Sequence, residues 1–352
     1  MSLEDLRDRI DKIDTEMIRL LNERADIVHE VGVIKKRDGL EIYAPEREEK
    51  LLRGLVAKGK GGRLPENSIR AIYREIMSAA LALEEDLKIA YLGPAGTWTH
   101  QAAIGKFGHS VKYLPQPSFA DVFEKVERRI ADYGVVPIEN STEGAVTHTL
   151  DLFADSPLKI YGQIMLPIEN NLMANCKREE IQHIYSHPQI IAQCRSWLGK
   201  NFHEIQPVEK SSSAVAAEVA ATEPNSAVLG GSLLAEMYGL ELLETSIQDI
   251  AHNTTRFLVI SQETCPPTGN DRTSVMFSVR DQPGSLHKAL EPFEELDINM
   301  SKIESRPSKR RAWEYYFFVD LAGHCEDDNF AKVIQQLETS CSFVKVLGSY
   351  PA

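Results

Sequence analysis

The chain has 352 residues, enough for two or three domains each with a sizeable core. Its apolar and charged fractions, 43% and 26%, are those of a soluble globular protein. A net charge of −13, spread along the chain, argues against nucleic-acid binding and requires any anionic substrate to meet a local cationic pocket.

The first residues are acidic and hold no apolar core of signal-peptide length, and no apolar run approaches a membrane span. A cytoplasmic chain without a membrane partner is the expectation. The five cysteines, Cys176, Cys194, Cys265, Cys325 and Cys341, are isolated, so neither a zinc site nor a disulfide framework is suggested.

In residues 1–86, Leu3, Leu6, Ile10, Ile13, Met17, Leu20, Ile27, Val31 and Ile34 recur mostly three and four apart. That spacing predicts a long amphipathic helix ending near Asp38-Gly39. Arg24 and Lys35 fall on its apolar seam, within roughly 20° of each other around the axis. A single seam cation can reach solvent, but two on one buried stripe call for an anion. Arg7 sits about 25 Å before Arg24 and about 100° around the helix, so it joins that site only from another chain. A second helix starts at Pro45, and a third runs from about Glu66 to Glu85 with Ile69, Ile72, Ile76, Ala79, Ala80 and Leu83 inward.

The three-helix pattern, with its L-R-D-R-I-D-x-I-D, L-L-N-E-R and P-E-R-E stretches, resembles the AroQ class of chorismate mutase, an intertwined all-helical dimer. The resemblance implies that Arg24, Lys35 and Arg47 hold the carboxylates and ether oxygen of chorismate, with Glu48 on its ring hydroxyl. Arg7 would enter from the partner subunit. Glu84 stands where the family places a hydrogen-bond donor to the ether oxygen, a position some members fill with Gln. An ionised carboxylate cannot donate, so Glu84 is expected to be protonated in use, with mutase activity falling as pH rises. Ala44 occupies a position where some relatives carry an acid.

Residues 87–264 alternate strands and helices, the pattern of an α/β domain. Leu87–Leu92 reads as a strand followed by Gly93-Pro94-Ala95-Gly96-Thr97 and a helix from about His100, a natural anion cradle though not a P-loop. Helices are expected near 119–130 and 214–221, and strands near Val135 and at 227–229. Val135–Ile138 should be buried in a mostly parallel sheet and delivers Glu139, Asn140, Ser141, Thr142 and Glu143 at its carboxyl end. The simpler reading of that burst is a helix N-cap at Ser141 or Thr142. His187, in a turn before Pro188, reads as structural more readily than as a general base. Lys210–Ser213 reads as an N-cap. The second P-I-E-N, at Glu169-Asn170, lacks the S-T-E-G continuation and is taken as a coincidence near the crossover between lobes.

The series Y-L-G-P-A-G-T-W-T, V-V-P-I-E-N-S-T-E-G-A-V, S-H-P-Q, S-S-S-A, L-G-G and N-T-T-R-F resembles prephenate dehydratases, piece by piece and in order. It implies two α/β lobes, as in a periplasmic binding protein, with the site in the cleft. Thr255 would then help protonate the departing ring hydroxyl of prephenate, while Glu139, Asn140, Ser141, Ser212 and Arg256 bind the substrate. Neither reaction needs a cofactor or a metal.

Residues 265–270 read as a linker, and the remainder gives a β-α-β-β-α-β count, the ferredoxin-like arrangement. P-G-S-L-H-K-A-L and E-S-R-P resemble the phenylalanine-binding ACT domain. Gly284, Ser285, Leu286, Asp297, Asn299 and Glu304 would contact the amino acid at an interface between two such domains. Lys309-Arg310-Arg311 is expected in a solvated hairpin turn without a role.

Together the chain resembles the bifunctional chorismate mutase–prephenate dehydratase family: a helical domain at 1–86, a two-lobed α/β domain at 87–264 and an ACT domain at 270–352. The implied ligands are chorismate, prephenate and inhibitory L-phenylalanine, in a homo-oligomer. An amino-acid sensor built from the same folds would leave Arg24, Lys35 and Arg47 unexplained.

Overall fold

The computed structural model describes residues 2–39, 42–309 and 313–352. The chain divides into two compact units, one of Met1–Leu87 with Phe107–Lys112, the other of Lys88–Lys106 with Tyr113–Ala352.

The first unit is built on α1 (Leu3–Asp38), α2 (Pro45–Gly59) and α3 (Glu66–Glu84). A reciprocal Ser2–Asp5 capping box starts α1, and Gly39, at φ +67°, ends it. Pro45 opens α2 as expected. All nine apolar seam residues of α1 remain 40–65% exposed in the single chain. On α3, Ala80 is buried and Ile69 and Ile76 are half-buried. Ile72, Ala79 and Leu83, expected inward, are exposed. Intramolecular packing therefore uses only part of the apolar surface this unit carries.

In the second unit the first lobe comprises β1 (Lys88–Leu92), α4 (Trp98–Phe107), β2 (Lys112–Gln116), α5 (Phe119–Glu127), β3 (Tyr133–Asn140), β4 (Gly144–Ala145), α6 (Thr147–Phe153) and β5 (Lys159–Pro167). The chain then builds β6 (Asn171–Ala174), β7 (His183–Ser186), α7 (Pro188–Gln193), α8 (Arg195–Asn201), β8 (Val208–Glu209), α9 (Ser213–Thr222), β9 (Ser226–Gly230), α10 (Leu233–Tyr238) and β10 (Glu241–Glu244) as a second lobe. It returns to the first lobe through β11 (Thr254–Ser261).

The first sheet runs β2-β1-β3-β11-β5, and β11 lies antiparallel between β3 and β5. The expectation of a mostly parallel sheet is corrected: the returning strand enters the sheet from the second lobe, opposite in direction to both neighbours. The N-cap reading of Ser141 or Thr142 is corrected too. Asn140 Oδ1 accepts from the Thr142 and Glu143 N–H groups, and Gly144, at φ +84°, turns the chain back into β4. Helix α6 starts later, after Val146, with no side-chain cap.

The last region is β12 (Asp271–Ser278), α11 (Ser285–Glu295), β13 (Met300–Pro307), β14 (Tyr315–Ala322), α12 (Asp328–Ser340) and β15 (Phe343–Pro351), with sheet order β13-β14-β12-β15. This is the expected β-α-β-β-α-β fold, but it is not a tethered module. Met276, Phe318, Leu347 and Tyr350 share one core with Val136, Ile138, Leu258 and Ile260 of the first lobe. Lys309, between β13 and β14, is exposed as expected but pairs with Asp151 at 2.7 Å; Arg310 and Arg311 of that run lie outside the described residues.

Strand β15 crosses β5 at Gly348, φ +151°, where a Cβ would lie 2.3 Å from the Ile160 carbonyl oxygen. Two backbones meet there, so no flexible side chain can give way. Gly348→Ala is expected to cost about 1–3 kcal/mol by forcing the sheets apart. A lowered thermal unfolding midpoint checks this; an unchanged midpoint would show that the crossing yields without cost.

Candidate active sites

The helical unit holds an open cavity of about 520 Å³ lined by its three helices. Arg24 and Lys35 reach it from α1, Arg47 and Glu48 from the first turn of α2, and Glu84 from the end of α3. Five of the six residues expected at the mutase site thus converge within one chain. Arg7 does not line the cavity, as its place along α1 requires. Ala44 lines the wall without offering a polar group. Leu20, Ile27, Val31, Leu51 and Leu81 supply apolar walls that strengthen the field of the cations.

Glu84 is largely buried, its Oε2 lies 3.9 Å from Lys35 Nζ, and that oxygen has no hydrogen-bond partner among the described residues. Burial pushes its carboxyl above the usual range, against the opposing pull of Lys35, Arg24 and Lys36. A carboxyl so placed favours the protonated, donating form. Sequence reasoning missed Gly32: a Cβ there would approach Glu84 Cγ to 3.0 Å, so the glycine on α1 makes room for the acid. A glycine inside an otherwise helical pattern was the available signal.

Between the two lobes of the second unit lies a cleft of about 310 Å³. Asn140 and Thr255 line it from the first lobe, Thr97, Trp98 and Thr99 from the start of α4, and Ser211, Ser212 and Ser213 from the start of α9. His187, Gln189 and Gln193 complete it from α7 and its N-cap. The Asn140 side chain is a hub. Its Nδ2 donates to Asn253 Oδ1 at 2.7 Å and to Thr255 Oγ1 at 2.8 Å, while Oδ1 fixes the following turn. Accepting that bond leaves the Thr255 hydroxyl proton available to donate elsewhere. Ser212 caps α9 through the Val215 N–H, as its sequence predicts. His187 accepts from the Gln189 N–H, in keeping with a structural part.

Gln189 and Gln193 were not singled out by sequence, and their amides reach across the cleft to Glu143. The second P-I-E-N also has a place: Ile168 lines the cleft, and buried Asn170 bonds Gln193 where the lobes join.

Three residues expected on the substrate lie elsewhere. Ser141 Oγ donates to the His252 carbonyl and accepts from the Thr254 N–H, fastening the two polar stretches together. Glu139 and Arg256 point away from the cleft. The registers Asn140↔Thr255 and Glu139↔Arg256 are adjacent pairs, and successive pairs on a ladder face opposite sides. Arg256, 3% exposed, bonds Asp320 at 2.5 Å, Tyr350 at 2.7 Å and Glu139 at 3.2 Å. Glu139 also pairs with Lys302. Burial alone would raise the Glu139 carboxyl, but Lys302 and Arg256 outweigh it and hold it below the usual range. No lysine or arginine lines the cleft among the described residues, so the anticipated local cationic pocket is replaced by hydroxyls and the N–H groups opening α4 and α9.

In the C-terminal domain Gly284, at φ +80°, precedes α11, with Ser285 and Leu286 in its first turn. Asp297 and Asn299 lie in the turn before β13, and Glu304 lies mid-strand. Of the six, Asp297 lines a recess of about 420 Å³ with Ile298, Ala322 and Asp327; the other five do not.

Family models match in the same order as the structural regions: chorismate mutase type II over residues 6–85, prephenate dehydratase over 89–265 and the ACT domain over 273–339. A bifunctional chorismate mutase/prephenate dehydratase of Aquifex aeolicus is 47% identical over 99% of this chain and 98% of its own. A prephenate dehydratase of Arthrobacter aurescens, solved in complex with L-Phe, is 32% identical with a TM-score of 0.70, covering 76% of this chain and 90% of its own. A protein described as a novel type of quorum quenching acylase is 29% identical with a TM-score of 0.69, covering 75% of this chain and 98% of its own. With full-length relatives of this kind and all three domains in sequence, the chain belongs to the bifunctional chorismate mutase/prephenate dehydratase family.

Proposed function

We propose that the helical cavity rearranges chorismate to prephenate and that the interlobe cleft converts prephenate to phenylpyruvate, with L-phenylalanine as inhibitor at the ACT domain. The observation that carries the first half is the convergence of Arg24, Lys35, Arg47, Glu48 and Glu84 on one cavity. A Claisen rearrangement is unimolecular, so the site has only to hold the folded conformer and stabilise charge on the ether oxygen. The three cations suit the substrate carboxylates and that oxygen, and protonated Glu84 supplies the donor.

In the cleft, carbon dioxide leaves prephenate while its bonding electrons flow into the ring, and the ring hydroxyl departs as water once protonated. The Thr255 hydroxyl, held by Asn140, is placed to donate to that oxygen. The hydroxyls of Ser211, Ser212 and Ser213 and nearby helix N–H groups take the carboxylates.

The exposed α1 seam fits a second copy of the chain. Nine apolar residues along a 36-residue helix present one continuous stripe, and a partner helix laid on it brings a second Arg7 within reach of a cavity it cannot enter in its own chain. Such a homo-oligomer completes the mutase site.

The purified full-length protein given chorismate is expected to form phenylpyruvate, with L-phenylalanine suppressing it. Prephenate accumulating without phenylpyruvate would confine activity to the helical unit, and no turnover at all would overturn the reading.

A further inference from the structure

Two cleft residues, Asn140 and Thr255, are each followed or preceded on their strand by a residue whose side chain faces the opposite way. Those neighbours, Glu139 and Arg256, are gripped by the ACT sheet: Lys302 on β13 holds Glu139, while Asp320 on β14 and Tyr350 on β15 hold Arg256. Ser274 on β12 donates to the second oxygen of Asp320 at 2.5 Å and bonds the Tyr350 hydroxyl at 2.6 Å, so all four ACT strands enter one network. Glu139 and Arg256 also bond each other across the ladder.

We propose that Lys302 and Asp320 of the ACT sheet are positioning residues for the dehydratase reaction, fixing the Asn140–Thr255 pair from behind through Glu139 and Arg256. The inference rests on reading the cleft as the dehydratase site.

Three features separate this from ordinary packing. Arg256 and Asp320 are nearly fully buried, where an ion pair tolerates little change in geometry. Each tether lies one residue from a cleft group, and rotation of one residue in a paired strand necessarily reorients the next. Among the described residues the Thr255 hydroxyl is held by one bond, from Asn140, within a chain of bonds, so a small displacement of either strand changes its aim. Lys302 also shares a face of β13 with Glu304 and Arg306, and Arg306 reaches Asp151 on α6 at 3.5 Å. The strand expected to meet phenylalanine is therefore the one that holds the back of the catalytic ladder.

The test uses full-length Lys302→Met and Lys302→Arg, assayed with prephenate and, separately, with chorismate. For Lys302→Met the expected result is a kcat on prephenate lowered about tenfold or more, with KM within about twofold and mutase turnover unchanged. Lys302→Arg, which keeps the cation, restores most of the loss. Asp320→Asn, which leaves Arg256 its shape but not its counter-charge, gives the same split of kcat from KM. Full kcat in Lys302→Met overturns the proposal, and so does a loss that Lys302→Arg fails to restore and that follows a lowered melting midpoint. Thr255→Ala run alongside separates the two levels: if it keeps full activity on prephenate, the reading of the cleft has failed rather than the tether.

Discussion

Thr255→Ala is expected to lower phenylpyruvate formation by about 10²-fold or more while leaving the chorismate reaction intact, so that prephenate accumulates. The hydroxyl sits on the cleft wall with its proton left to donate, because its oxygen already accepts from Asn140 Nδ2. Its removal leaves the Asn140 hub standing, since Nδ2 keeps Asn253 and Oδ1 keeps the turn at Thr142 and Glu143. The loss therefore reports chemistry and not collapse of the hairpin. Thr255→Ser, which keeps the hydroxyl, is expected to retain much more activity. Equal kcat on prephenate in wild type and Thr255→Ala would remove the proposed proton donor.

Glu84→Gln is expected to abolish the fall of mutase activity with rising pH. In the wild type the donating form is the protonated acid, and burial raises its pKa above that of an ordinary glutamic acid. Activity is thus present below that raised pKa and falls about tenfold for each pH unit above it. Glutamine donates at every pH, so two units above the wild-type pKa the variant should lead by about a hundredfold. Glu84→Ala, with no donor, should be slow throughout. The measurement is kcat/KM on chorismate from acid to alkaline pH. Matching slopes in wild type and Glu84→Gln would show that another group carries the profile.

The two sites were legible in the sequence to different degrees, for a physical reason. On a long helix, position along the chain fixes position around the axis, so the spacing of Arg24 and Lys35 located both on one stripe and excluded Arg7 from it. Cap residues set helix ends by local bonds, and Pro45 and Ser212 lie where local reasoning puts them. On a strand, spacing shows that Glu139 and Asn140 face opposite ways, but not which face meets the ligand. That depends on what covers the other side. Here it is the C-terminal sheet, whose Lys302 is 163 positions from Glu139 and whose Asp320 is 64 positions from Arg256.

The same limit explains the corrected expectations. Burial of Val135–Ile138 was readable from composition, but the antiparallel insertion of β11 follows from the path of the chain through the second lobe. The Asn140 hairpin competed with a helix N-cap because both use a polar side chain to satisfy nearby N–H groups. Ladder pairing of Gly144 with Asn140 decided it.

By itself the sequence determined the three domains, their order, the helical seam and its cations, and the polar stretches that meet in the cleft. These depend on periodicity, capping and motif, all local properties of the chain. The tertiary structure alone decided that Glu139 and Arg256 belong to the back of the catalytic ladder, that the C-terminal sheet shares its core with the first lobe, and that Gly348 marks their closest crossing. Each is a contact between segments distant in sequence, and no local spacing encodes which surfaces will be buried against each other.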